Sequence, residues 1–143
     1  MRVSLRSSYG IMAAVDLAMQ GGAGPIQAKS IARRQGIPAR FLEQVLHTMK
    51  KAGLVSSQRG AQGGYVLSRK PSDVSVAEVL EALEGPILHM TDSNGRAQGS
   101  TLLAKVWDRV HEAERHVLEA ITIEELAGEQ RQIEQQRSPM YHI

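Results

Sequence analysis

No cysteine occurs in the 143 residues. That excludes disulfides, thiolate nucleophiles, Cys-ligated zinc and Cys-ligated iron–sulfur clusters. Aromatics make up only 3% of the chain, so a core has to rest on Leu, Ile, Val, Ala and Met. No apolar run approaches the roughly 18 residues a membrane-spanning helix needs. The opening MRVSLRSSYG lacks the apolar stretch of a signal peptide, and the expected compartment is the cytoplasm. Catalytic signatures are missing as well. There is no HExxH, and no Ser, His and acid set stands in a nucleophile-elbow context. The histidines (His47, His89, His111, His116, His142) are scattered and read as surface residues. The paired acids Glu112/Glu114 and Glu124-Glu125 read as solvated helix faces. No enzymatic activity is expected.

Charge is present but unevenly placed. Residues 1–70 hold eleven Lys/Arg against two acids, Asp16 and Glu43, a net +9. Residues 71–143 hold six basic against thirteen acidic residues, a net −7. A basic half joined to an acidic half suggests a polyanion-binding head and a differently employed tail.

The pattern within the basic half is specific. Residues 7–20 carry a helical stripe of Ile11, Ala14, Val15, Leu17 and Ala18, with Ser7 or Ser8 as a cap and Gly21-Gly22 as a stop. A short helix, about 28–35, ends at Gly36. Pro38 suits the first turn of the next helix, which runs to about Ala52. That helix has apolar positions Phe41, Leu42, Val45, Leu46 and Met49, and a polar face of Arg40, Glu43, Gln44, His47, Lys50 and Lys51. Two short strands, 54–58 and 65–68, flank the glycine-rich RGAQGG. Helix, turn, helix and hairpin together form a device for gripping duplex DNA. A nucleotide-binding glycine loop fits poorly, because strand follows loop where a helix is required.

The expected DNA contacts are Arg2, Lys29, Arg40, Phe41, Glu43, Gln44, Lys50, Lys51, Arg59 and Gly60. Lys and Arg neutralise phosphates and release counterions. In the major groove Arg40 can meet guanine or phosphate, Gln44 can address adenine, and Glu43 can accept from cytosine or hold a neighbouring Arg. Arg59, at the base of the hairpin tip, could enter a narrow minor groove.

Beyond residue 70 the pattern changes. Ser75 and Glu78 make a capping box for a helix over 76–83. Residues 87–99 read as a flexible loop. A long helix over 101–120 carries Leu103, Val106, Val110, Ala113 and Val117 at steps of three and four, a stripe suited to packing between chains. Thr122 and Glu125 cap a last helix, and Pro139 breaks it before the terminal MYHI. The fold class is therefore mainly α with a small β-hairpin wing. The expected organisation is a winged helix-turn-helix head (1–70), a linker with a short helix and loop (71–100), dimerisation and C-terminal helices (101–137) and a flexible tail (138–143).

The opening MRVSLRSSYG, the segment FLEQVLHTMKKAGLVSSQRGAQGGYVL and the piece ITIEEL carry a resemblance. Over nearly its whole length the chain resembles the winged-helix regulators of the IscR, NsrR and CymR type. The resemblance implies a homodimer joined by the 101–120 helix and a palindrome-like operator. Cluster-binding members have three cysteines in the loop corresponding to about 87–101. Here that region offers His89, Asp92, Ser93 and Thr101, so a Cys-ligated cluster does not carry over, and no cofactor is expected.

LEGPI at 83–87 and the terminal MYHI are similar to the cluster-free cysteine-metabolism repressors. That likeness implies a repressor of cysteine and sulfur genes. It also implies a partner, cysteine synthase (O-acetylserine sulfhydrylase), bound by a tail of Tyr141, His142 and Ile143. Capture of a C-terminal carboxylate by backbone donors is a known recognition mode. Two other readings stay open: a DNA-binding sensor of another small ligand or metal through the 87–101 loop, or an adaptor that docks a metabolic enzyme.

Overall fold

The computed structural model describes residues 3–85 and 101–137. Helix α1 (Leu5–Met19) starts two residues earlier than its sequence suggests, because Ser4 is the cap: its hydroxyl accepts the Ser7 N–H at 3.1 Å. Ser7 itself is fully buried and donates its hydroxyl to Glu84 at 2.6 Å. A serine used in the interior cannot serve as the exposed cap.

Helices α2 (Ala28–Gln35) and α3 (Ala39–Lys51) follow. Gly36 between them has φ 66°, the left-handed conformation that lets the chain reverse at low cost. Pro38 stands one residue before the first turn of α3, at the cap position, with φ −58° already close to helical. The inner face of α3 is Leu42, Val45, Leu46 and Met49, each at most 2% exposed. Phe41 does not join that face and is 54% exposed.

Strands β1 (Val55–Gln58) and β2 (Gly64–Leu67) pair antiparallel, with Val55 opposite Leu67 and Gln58 opposite Gly64. The hairpin is tied to the segment before α2. The Ile26 N–H donates to the Tyr65 carbonyl at 2.9 Å, and the Tyr65 N–H to the Ile26 carbonyl at 2.7 Å. Gly64 allows this approach: a Cβ there would lie 2.4 Å from the Ile26 carbonyl.

A single 3-10 turn (Pro71–Asp73) leads to α4 (Val76–Glu84), which carries the expected capping box. The core of the head extends past residue 70. Val74, Val79 and Leu83 pack with Ala13, Ala14 and Leu17 of α1 and with the inner face of α3. Helix α5 (Thr101–Ala120) then runs outward, and none of its twenty residues is buried. Helix α6 (Ile123–Arg137) returns, inserting Ile123 and Ala127 into the same core. The α5–α6 junction is stitched to the entry of α4. The Val76 N–H donates to the Ile121 carbonyl at 2.9 Å and the Ile123 N–H to the Val74 carbonyl at 2.8 Å. These bonds fix the root of the long helix on the head. Among the described residues, no helix is long and apolar enough to cross a membrane.

Candidate nucleic-acid interface

The outer side of α3 carries Arg40, Glu43, Gln44, His47, Lys50 and Lys51, all exposed. Their placement follows from the inner face. At about 100° per residue, burying 42, 45, 46 and 49 turns 40, 44, 47 and 51 directly outward and sets 43 and 50 on one flank. Phe41 and Thr48 lie on the other flank, beside the start of α1. Lys29 is exposed in the first turn of α2, and Arg59 and Gly60 are exposed at the hairpin tip. Arg2 lies outside the described residues, as do positions 86–100 of the loop and the 138–143 tail.

The tip keeps its shape through local bonds. The Gly63 N–H donates to the Gly60 carbonyl at 2.9 Å, and Gln27 reaches the Ala61 carbonyl at 3.5 Å. A Cβ on Gly63 would lie 2.2 Å from the Gln58 carbonyl oxygen. Wing and helix-turn-helix are thus one rigid surface: the segment leading into α2 is also the backbone against which the wing is clamped.

Three polar contacts position this surface. Asp16, 2% exposed, accepts from Arg34 at 2.7 and 3.0 Å and from Gln35 at 3.0 Å, locking α2 to α1. The Asp16 carboxylate raises the Arg34 pKa, first through the hydrogen bond. Arg6 donates to the Thr48 hydroxyl at 2.9 Å, tying the start of α1 to α3. Glu84 accepts from the hydroxyls of Ser4 and Ser7, closing α4 onto α1. Those two hydrogen bonds, Ser4 first, hold the Glu84 carboxyl below its ordinary value.

The sequence pattern assigns no role to Arg6, Arg34 or Glu84. One signal is present at Asp16: an acid between Val15 and Leu17, inside the apolar stripe of α1, needs a partner if it is buried.

On α5 the side chains of Leu103, Val106, Val110, Ala113 and Val117 are all exposed. Leu102 and Trp107 widen the same surface, at 72% and 50% exposure. Large contiguous apolar patches are characteristic of interaction surfaces.

Residues 3–129 match the Rrf2 family model, described as an iron-dependent transcriptional regulator. The helix-turn-helix (HTH)-type transcriptional regulator CymR of Bacillus subtilis (strain 168) is 35% identical over 130 residues, which cover 90% of this chain and 91% of that one. The solved structure of CymR, described as the global cysteine regulator of B. subtilis, superposes with a TM-score of 0.80 at 34% identity, covering 90% of this chain and 97% of the other. The structure of T. potens IscR superposes with a TM-score of 0.76 at 38% identity, covering 90% and 88%.

The iron in the family's description meets a chain with no thiolate ligand. Among the described residues no three or more His, Asp or Glu side chains come together to hold a metal. A Cys-ligated cluster therefore does not fit this protein. Head, wing, long helix and full-length similarity agree: the chain belongs to the Rrf2 family of DNA-binding, non-enzymatic transcriptional regulators.

Proposed function

We propose that the protein is a homodimeric repressor of cysteine and sulfur metabolism genes that works without an iron–sulfur cluster. One observation carries the reading: a full-length likeness to a cysteine regulator in a chain that holds no cysteine. The likeness to IscR is of similar degree, but a thiolate-held cluster has no ligands here.

In this reading Arg40, Glu43 and Gln44 meet base edges in the major groove, and Lys29, Lys50 and Lys51 neutralise phosphates. Arg59 enters the minor groove with Gly60 close to the backbone, and Arg2 adds a further cation. The α5 stripe of Leu103, Val106, Val110, Ala113 and Val117 pairs with a second copy and places two heads on a palindrome-like operator. The tail residues Tyr141, His142 and Ile143 dock on cysteine synthase, with the terminal carboxylate on backbone N–H groups. Two tails per dimer would raise avidity for a dimeric enzyme.

Genome-wide mapping of bound DNA tests the regulon. Bound sites upstream of sulfur-assimilation genes are the expected result, and sites confined to unrelated genes would redirect the reading to another signal. Calorimetry of a 138–143 peptide against cysteine synthase tests the partner separately: measurable heat, competed by O-acetylserine, is expected. No heat at millimolar peptide would remove the partner and leave the DNA claim intact.

A further inference from the structure

Phe41 is the only phenylalanine in the chain, and it is 54% exposed. It is the third residue of α3, while the packing of that helix is complete with Leu42, Val45, Leu46 and Met49. Its ring lines an open cleft of about 360 Å³ together with Leu5, Arg6, Tyr9, Gln44 and Val45. Leu5 on the opposite wall is 66% exposed. The hydrogen bond from Arg6 to Thr48 holds the start of α1 along this flank. An apolar notch thus lies at the N-terminal end of α3, with Arg6 and Gln44 in its lining and the outward face of Arg40, Gln44 and Lys51 beside it.

We propose that Phe41 reads the C5-methyl group of a thymine in the major groove, next to the base addressed by Gln44. The inference rests on the reading that α3 enters that groove. The first residues of a recognition helix are those that reach base edges. The C5-methyl of thymine is the apolar feature of the major-groove edge, and phenylalanine is one of the side chains that meets it. The cationic surround selects DNA as the occupant over an apolar peptide or a second copy of the chain, which would leave Arg6 and Arg40 beside an uncharged partner. Phe41 and Gln44 border the same cleft, so the thymine and the adenine they address belong to the same or adjacent base pairs.

The test removes one methyl at a time. A high-affinity duplex is selected from a random pool with the full-length protein, and each thymine is replaced singly by deoxyuridine. Burial of one methyl-sized group corresponds to about three- to fivefold in affinity. Wild type is expected to lose about that much at one thymine, or at its symmetry mate. Phe41→Ala should bind the unmodified duplex more weakly and show no penalty at that thymine, while Phe41→Leu should retain part of it. Phe41 makes no part of the core, and a thermal unfolding curve like that of wild type checks that Phe41→Ala is folded. If every deoxyuridine duplex binds wild type like the parent, or if Phe41→Ala keeps the same penalty, the inference is overturned while DNA recognition stands. Failure to select any duplex would overturn the DNA-binding reading itself.

Discussion

Arg34 on α2 places two guanidinium nitrogens on the carboxylate of Asp16, at 2.7 and 3.0 Å, across the first helix pair of the head. Asp16 is 2% exposed and the Arg34 side chain 39% exposed, so one end of the pair is dry and the other reaches water. The pair fixes the angle at which α2, and through it α3 and the wing, leaves α1. Removing one partner of a fully buried pair costs about 3–5 kcal/mol. Here the exposed guanidinium can rehydrate, so the loss is set by hydrogen bonds to a charged group, about 1.5–3 kcal/mol. Asp16→Ala should lower the unfolding free energy obtained from urea titration by that amount, and DNA affinity should fall with it. Unchanged stability would mean that the pair does not organise the head.

The Glu84 carboxylate closes α4 onto α1 through Ser4 and Ser7, and its folded pKa is lowered. A carboxyl group with a depressed folded pKa stabilises the native state above its unfolded value, about 4.3. That stabilisation is lost as pH falls through the folded value. Thermal unfolding of wild type and Glu84→Gln should therefore differ at neutral pH and converge in acid. A gap of constant size down to about pH 3 would show that the carboxylate charge is not what holds the two helices.

Much of the head is legible in the sequence because its signals are local. Gly36 and Pro38 punctuate α2 and α3, and Ser75 with Glu78 starts α4 at the expected place. The interactions that are not legible join residues far apart in the chain. Nothing near Ile26 announces that its backbone pairs with Tyr65, or that Ser7 bonds Glu84. The same holds for α4, expected in a linker: Val79 and Leu83 have the right spacing for a helix, but only the fold shows that they complete the head's core. Phe41 is ambiguous for a related reason. It borders the inner stripe of α3 in sequence, and its exposure depends on how closely α1 covers that flank.

Helix α5 leaves Leu103, Val106 and Val110 at 49%, 44% and 40% exposure, and Val117 at 59%. In the proposed homodimer a second copy covers this stripe. Val110→Asp would place an unpaired charge at the centre of that interface, a costly burial. Sedimentation should show monomers or aggregates for this variant and dimers for wild type. A variant that remains a dimer would place the interface elsewhere.

The central claim is that α3 and the wing recognise duplex DNA, and direct titration of a selected operator tests it. The comparison is wild type against the Arg40→Ala, Gln44→Ala, Arg59→Ala triple variant over a series of salt concentrations. Each base-reading side chain is worth about 1–3 kcal/mol, so the triple variant should bind on the order of a hundredfold or more weakly. Its slope of log affinity against log salt should fall by about 0.9 for each phosphate that the two arginines no longer neutralise. Equal affinity and equal slope for the two proteins would contradict the account.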